Sequence, residues 1–69
     1  MTAQERLQFI LSDRGMNIRT MSSLSELPYT TVYDYIKNGN EPSYKNFNKI
    51  VEATGYTIQI NDTGESDEN

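Results

Sequence analysis

The sequence predicts an all-α domain of four short helices followed by a brief C-terminal strand. Three observations carry that expectation. Apolar residues recur at three- and four-residue spacing in four successive segments. Helix-breaking residues separate the segments at Gly15, Leu27-Pro28, Asn38-Gly39 and Gly55. Beyond Gly55 the pattern switches to strict alternation, the period of a strand.

The first helix spans Thr2 to Arg14. Thr2-Ala3-Gln4-Glu5 has the spacing of a capping box, in which the threonine hydroxyl and the glutamate carboxylate each satisfy a free backbone amide. Leu7, Ile10 and Leu11 make its apolar stripe, and Gly15 supplies the stop. The second helix follows Asn17, a good N-cap, turns Ile18, Met21 and Ser22 inward, and ends near Ser25. Proline disfavours helix in the residue before it, so Leu27-Pro28 breaks the chain there. The third helix starts at Pro28 or Tyr29, buries Val32, Tyr35 and Ile36, and ends at Asn38-Gly39. Asn40-Glu41-Pro42 is loop. The fourth helix takes Ser43 as N-cap, carries the stripe Tyr44, Phe47, Ile50 and Val51, and stops at Gly55. Tyr56, Ile58 and Ile60 then alternate with Thr57 and Gln59 as in a half-buried strand. Nothing else in the chain pairs with such a strand, so Tyr56, Thr57, Ile58, Gln59 and Ile60 are expected at a dimer interface, against the same strand of a second copy.

With 69 residues there is room for one domain. The absence of cysteine and histidine removes disulfides, thiolate sites, the commonest general base and the commonest metal ligand. The carboxylates are scattered and no glycine-rich phosphate loop occurs, so neither an enzyme nor a metal or other cofactor is expected. Met1, Met16 and Met21 read as start, packing and core residues. No apolar run approaches the roughly 20 residues of a membrane span, and no signal peptide is apparent, which suggests a cytoplasmic protein. The net charge of −4 is unevenly placed. Six acids balance six bases up to Asn61, and the whole deficit falls on Asp62, Glu65, Asp67 and Glu68. Residues 62–69 lack any large apolar side chain and are expected to be a disordered acidic tail. It is either a solubilising extension or a competitor for a basic face.

Residues 17–36 hold the informative constellation. Two short helices meet at a tight turn, with a small residue, Ser22, at their crossing and Met21, Leu27, Val32 and Ile36 flanking it. That layout suits a helix-turn-helix, where the small residue allows close packing and the outer face of the second helix stays free for a major groove.

These residues resemble the Cro/CI-like (XRE) helix-turn-helix family of phage repressors and small bacterial regulators, which have a lambda-repressor-like fold. The likeness runs from Thr2 to Tyr56. It rests on Ile18, Met21, Ser22, Leu27-Pro28-Tyr29, Thr31-Val32 and Asn38-Gly39, then on Pro42-Ser43 with Phe47, Ile50 and Gly55. The ending Gly55 to Ile60 resembles members whose C-terminal strand pairs across a dimer. Two residues depart from the pattern. Glu26 stands where many members have glycine; in a left-handed conformation that costs roughly 1–2 kcal/mol. Asp34 puts an acid on the reading face, where it accepts from cytosine N4 or repels phosphate.

The resemblance implies a palindromic double-stranded DNA operator bound by a homodimer, with reading helices about 34 Å apart in successive major grooves and polymerase blocked sterically. The base-reading positions it implies are Tyr29, Thr30, Tyr33, Asp34 and Lys37. Asn17, Arg19, Asn38, Asn40, Tyr44, Lys45 and Asn46 fall at the helix ends that face phosphate in this fold. So short a chain leaves no room for a ligand-sensing domain, and no small-molecule ligand is expected. A repressor of this kind responds through its own concentration, in a bacterium or a phage-infected cell. The competing reading is a protein-binding module on the same fold, such as a phage inhibitor of host defence (anti-CRISPR-type) or an antitoxin. A third is the DNA-binding part of a longer repressor.

Overall fold

A computed structural model of the chain describes residues 1–56. They form α1 (Ala3–Arg14), α2 (Ile18–Ser25), α3 (Tyr29–Lys37) and α4 (Tyr44–Ala53), an all-helical architecture. The expected strand beyond Tyr56 (Thr57, Ile58, Gln59, Ile60) and the acidic tail lie outside the described residues. Among those described, no helix is long and apolar enough to cross a membrane.

The helix starts follow their local chemistry. Thr2 Oγ1 accepts from the Glu5 amide at 3.1 Å while Glu5 Oε1 accepts from the Thr2 amide at 3.0 Å, completing the capping box. Asn17 Oδ1 accepts from the Thr20 amide at 2.8 Å, and Ser43 Oγ from the Asn46 amide at 3.1 Å. Each bond satisfies an amide that has no partner within its helix. α3 differs, for Pro28 stands at its N-cap and makes no side-chain cap bond.

Three helices end in the same device. In α1 the Gly15 amide donates to Ser12 O at 3.2 Å and the Met16 amide to Leu11 O at 3.0 Å. Glu26 and Leu27 repeat this with Ser23 O and Ser22 O in α2, and Gly55 and Tyr56 with Glu52 O and Val51 O in α4. This paired pattern needs one left-handed residue just past the helix. Glycine fills that place at Gly15 (φ 64°) and Gly55 (φ 90°). At the end of α2 it is Glu26, at φ 58°. The non-glycine residue thus adopts the left-handed form and the turn keeps its shape.

α1 packs on α3, α3 on α2, and α2 on α4. Leu7 and Ile10 of α1, Ile18 and Met21 of α2, Val32, Tyr35 and Ile36 of α3, and Ile50 and Val51 of α4 form one core. Leu11, Met16, Leu27, Phe47 and Tyr56 close its edges. Burial of each large apolar side chain is worth about 1.5–3 kcal/mol, so this cluster is what opposes chain entropy. Ser22 is buried on α2, and its hydroxyl donates to Arg19 O at 2.8 Å.

One expected core residue is not there. Tyr44, read as the start of the α4 stripe, is 65% exposed. It is the first residue of α4, a turn before Phe47, and at that end the helix has run past the core into an open cleft lined with Met1 and Pro42. Two polar residues are more buried than their types suggest. Ser25 donates to Met21 O at 2.7 Å, and Thr54 to Ile50 O at 2.8 Å. These back-bonds satisfy the hydroxyls inside their own helices.

Candidate functional site

The outer face of α3 carries the site. Tyr29, Tyr33 and Lys37 recur every four residues and so form one stripe, with Thr30 and Asp34 beside it. Tyr29, Thr30, Tyr33 and Lys37 are exposed, while Asp34 is half-buried. The Tyr29 and Tyr33 rings lie 6.0 Å apart at 39°, a tilted pair. The Arg19 guanidinium, from the second residue of α2, stands 5.2 Å from the centre of the Tyr29 ring. An exposed cation–π contact of this kind is worth about 0.5–1 kcal/mol, enough to bias a long side chain toward one place. A cation, two aromatic rings and a lysine thus run in order along α3.

Asn17 and Arg19 at the start of α2 and Tyr29 and Lys37 on α3 share one open groove of about 530 Å³, floored by Ile18 and Ile36 and flanked by Gln8 of α1. The α2 N-terminus presents free amides and the positive end of its dipole here.

Asp34 is not free. Its Oδ1 accepts from Asn38 Nδ2 at 2.6 Å, and its backbone carbonyl accepts from the Asn38 and Asn40 amides, each at 3.1 Å. The two asparagines therefore finish α3 while remaining exposed. Tyr44 and Lys45 are exposed in the first turn of α4. Asn46 beside them is half-buried, and its Nδ2 donates to the Tyr35 hydroxyl at 2.9 Å. That bond ties the start of α4 to the core side of α3 and occupies part of a side chain expected at phosphate.

Tyr56, the single residue of the expected dimer strand that is described, is half-buried against the end of α1. Its hydroxyl donates to Asp13, and the Arg14 guanidinium lies 4.7 Å from its ring centre. The bond to Asp13, reinforced by the charge of that carboxylate, raises the phenol pKa above the ordinary 10.0.

Two residues that sequence reasoning passed over hold the far end of α3. Gln4 Nε2 and Gln8 Nε2, on α1, both donate to Ile36 O, at 2.9 Å and 3.0 Å. Their i, i+4 spacing is the one sequence signal they had, and it puts both on a single helix face without saying what that face meets.

No family model, no curated protein and no solved structure matches this chain.

Proposed function

We propose that α2, the connection Glu26–Pro28 and α3 form a helix-turn-helix of the Cro/CI-like (XRE) kind, and that the chain is a sequence-specific DNA-binding transcriptional repressor. Two copies bind a palindromic operator, joined through the strand Tyr56 to Ile60. The observation that carries this reading is the outward stripe of α3, headed by Arg19 stacked on Tyr29. A short helix whose exposed face carries aromatic, hydroxyl and amine groups, with the half-buried Asp34 carboxylate beside them, suits a major groove. Tyr33 and Thr30 meet base edges, Asp34 accepts from an exocyclic amine, and Lys37 reaches an acceptor or phosphate. Arg19, Asn17 and the α2 N-terminus lie to one side, as phosphate contacts that set orientation.

The fold is charge-neutral, with six acids and six bases among residues 1–56. Much of the backbone contact is then amide and hydroxyl hydrogen bonding, which releases few counterions. The dependence of affinity on salt is accordingly shallow. Repression is steric, by a dimer lying across the promoter.

A gel shift against DNA from the protein's own promoter region, at two salt concentrations, tests the reading. Retarded promoter DNA at both, with an unrelated duplex bound more weakly at both, supports it; no retardation at either rejects it. One observation favours a second reading. Charge neutrality with Tyr29, Tyr33 and Tyr44 all exposed also suits a protein-binding face, since tyrosine is rich in interface anchors. In that case the same chain captures a protein and leaves its promoter unbound.

A further inference from the structure

The last carbonyls of a helix have no partner within it. α3 has nine residues, too few to be stable alone, so contacts from elsewhere must hold it in place. Its N-terminus has no side-chain cap. Its C-terminus is held from another helix, since Ile36 O accepts from both Gln4 Nε2 and Gln8 Nε2. Both bonds are part-buried and span 32 and 28 residues of sequence. Just past α3 the chain turns left-handed at Gly39 (φ 75°), where a Cβ would lie 3.3 Å from Gln4 Oε1, so the Gln4 amide rests against the glycine backbone.

We infer that Gln4 and Gln8 are positioning residues for DNA reading: they set the axial register of α3 on the domain and thereby the sequence discrimination of its outer face. The inference rests on the DNA-binding reading above. Apolar packing between α1 and α3 is non-directional and tolerates sliding along the helix axis. Two directional bonds converging on one carbonyl do not. Ile36 immediately precedes Lys37 and lies one turn from Tyr33, so register lost at this carbonyl is transmitted directly to the reading stripe. Base-edge contacts tolerate only about 0.5 Å of misplacement. Phosphate contacts from Asn17 and Lys45 arise outside α3 and are left in place, while those expected of Asn38 and Asn40 move with its end.

The test compares the full chain with Gln4→Met/Gln8→Met, which keeps side-chain length and removes both donors, and with Gln4→Met/Gln8→Lys, which returns one donor. Anisotropy titrations at one salt concentration measure affinity for promoter DNA and for a scrambled duplex. One hydrogen bond is worth roughly two- to tenfold in an equilibrium, so the double methionine variant should lose about tenfold in the ratio of the two affinities. Its affinity for the scrambled duplex should fall by much less, and the lysine variant should recover much of the ratio. A purely structural role lowers the melting temperature and leaves that ratio alone, and an unchanged ratio overturns the inference. Should the double variant not fold, Gln8→Met alone serves, with a loss of about threefold expected and no loss overturning it. If the wild-type chain shows no preference for promoter DNA, the DNA-binding reading falls and takes the inference with it. Amide exchange at Asn38 and Asn40, whose amides both donate to Asp34 O, tells the two failures apart in the DNA-free variants. Faster exchange in the double methionine variant shows that the clamp acts on α3 whatever α3 binds, and unchanged exchange refutes the clamp itself.

Discussion

Replacing Glu26 by glycine should stabilise the protein. Glu26 sits at φ 58°, ψ 39°, where its amide and that of Leu27 complete the end of α2. A side chain in this left-handed region costs roughly 1–2 kcal/mol. Glycine removes that cost but loosens the unfolded chain, which returns about 0.4–1 kcal/mol. The net gain is about 0.8 kcal/mol, the difference between the middles of those two ranges. In a domain this small each kcal/mol moves the melting temperature by roughly 4–8 °C, so Glu26→Gly should raise it by about 3–6 °C. Glu26→Ala removes the same exposed carboxylate while keeping the backbone strain, and should melt close to wild type. Thermal denaturation followed by circular dichroism measures all three proteins. If the glycine and alanine variants melt together, the strain argument is wrong and any change belongs to the charge.

Leu7 is fully buried at the centre of the core, and Leu7→Ala should cost about 2–5 kcal/mol. That is most of the stability of so small a domain, so urea denaturation should find the variant largely unfolded, whereas Phe9→Ala, at a position 55% exposed, should stay near wild type. Tyr56 should ionise above the ordinary 10.0 of a free phenol, because its bond to Asp13 raises its pKa. Its folded value exceeds the unfolded one, so the contribution of this bond to stability is complete below pH 10 and is lost as pH rises through the folded value. A phenolate absorbance titration should show Asp13→Asn restoring an ordinary midpoint. If the proposed strand joins two copies, a chain truncated after Gly55 should sediment as a monomer at concentrations where the full chain is a dimer; a truncation that stays dimeric removes the strand from the interface.

How far the sequence is legible depends on how local the chemistry is. Thr2, Asn17 and Ser43 act across three residues, and each caps the helix its neighbours predict. Val32, Tyr35 and Ile36, and likewise Ile50 and Val51, are buried because helical spacing alone puts them on one side. Glu26 was legible as a position at odds with glycine, but the left-handed form follows only from the paired bonds that close α2. Tyr44 fails the same periodic argument, since periodicity finds a face and not the point where the core beneath it stops. Gln4 and Gln8 escape it altogether. Their partner is a backbone carbonyl about thirty residues away, and a carbonyl leaves no mark in a sequence. The bond from Asn46 to Tyr35 is similar, joining a residue expected at the surface to one expected in the core.

In the proposed complex α3 reads bases while the start of α4 meets phosphate. Titrating Tyr33→Ala and Lys45→Ala against promoter DNA and a scrambled duplex separates the two roles. Tyr33→Ala should lower affinity for the promoter alone, by about 1–3 kcal/mol if it carries one good base contact. Lys45→Ala should weaken both duplexes about equally and flatten the salt dependence. If both variants discriminate and bind as the wild type does, α3 is not the reading helix and the start of α4 does not meet phosphate.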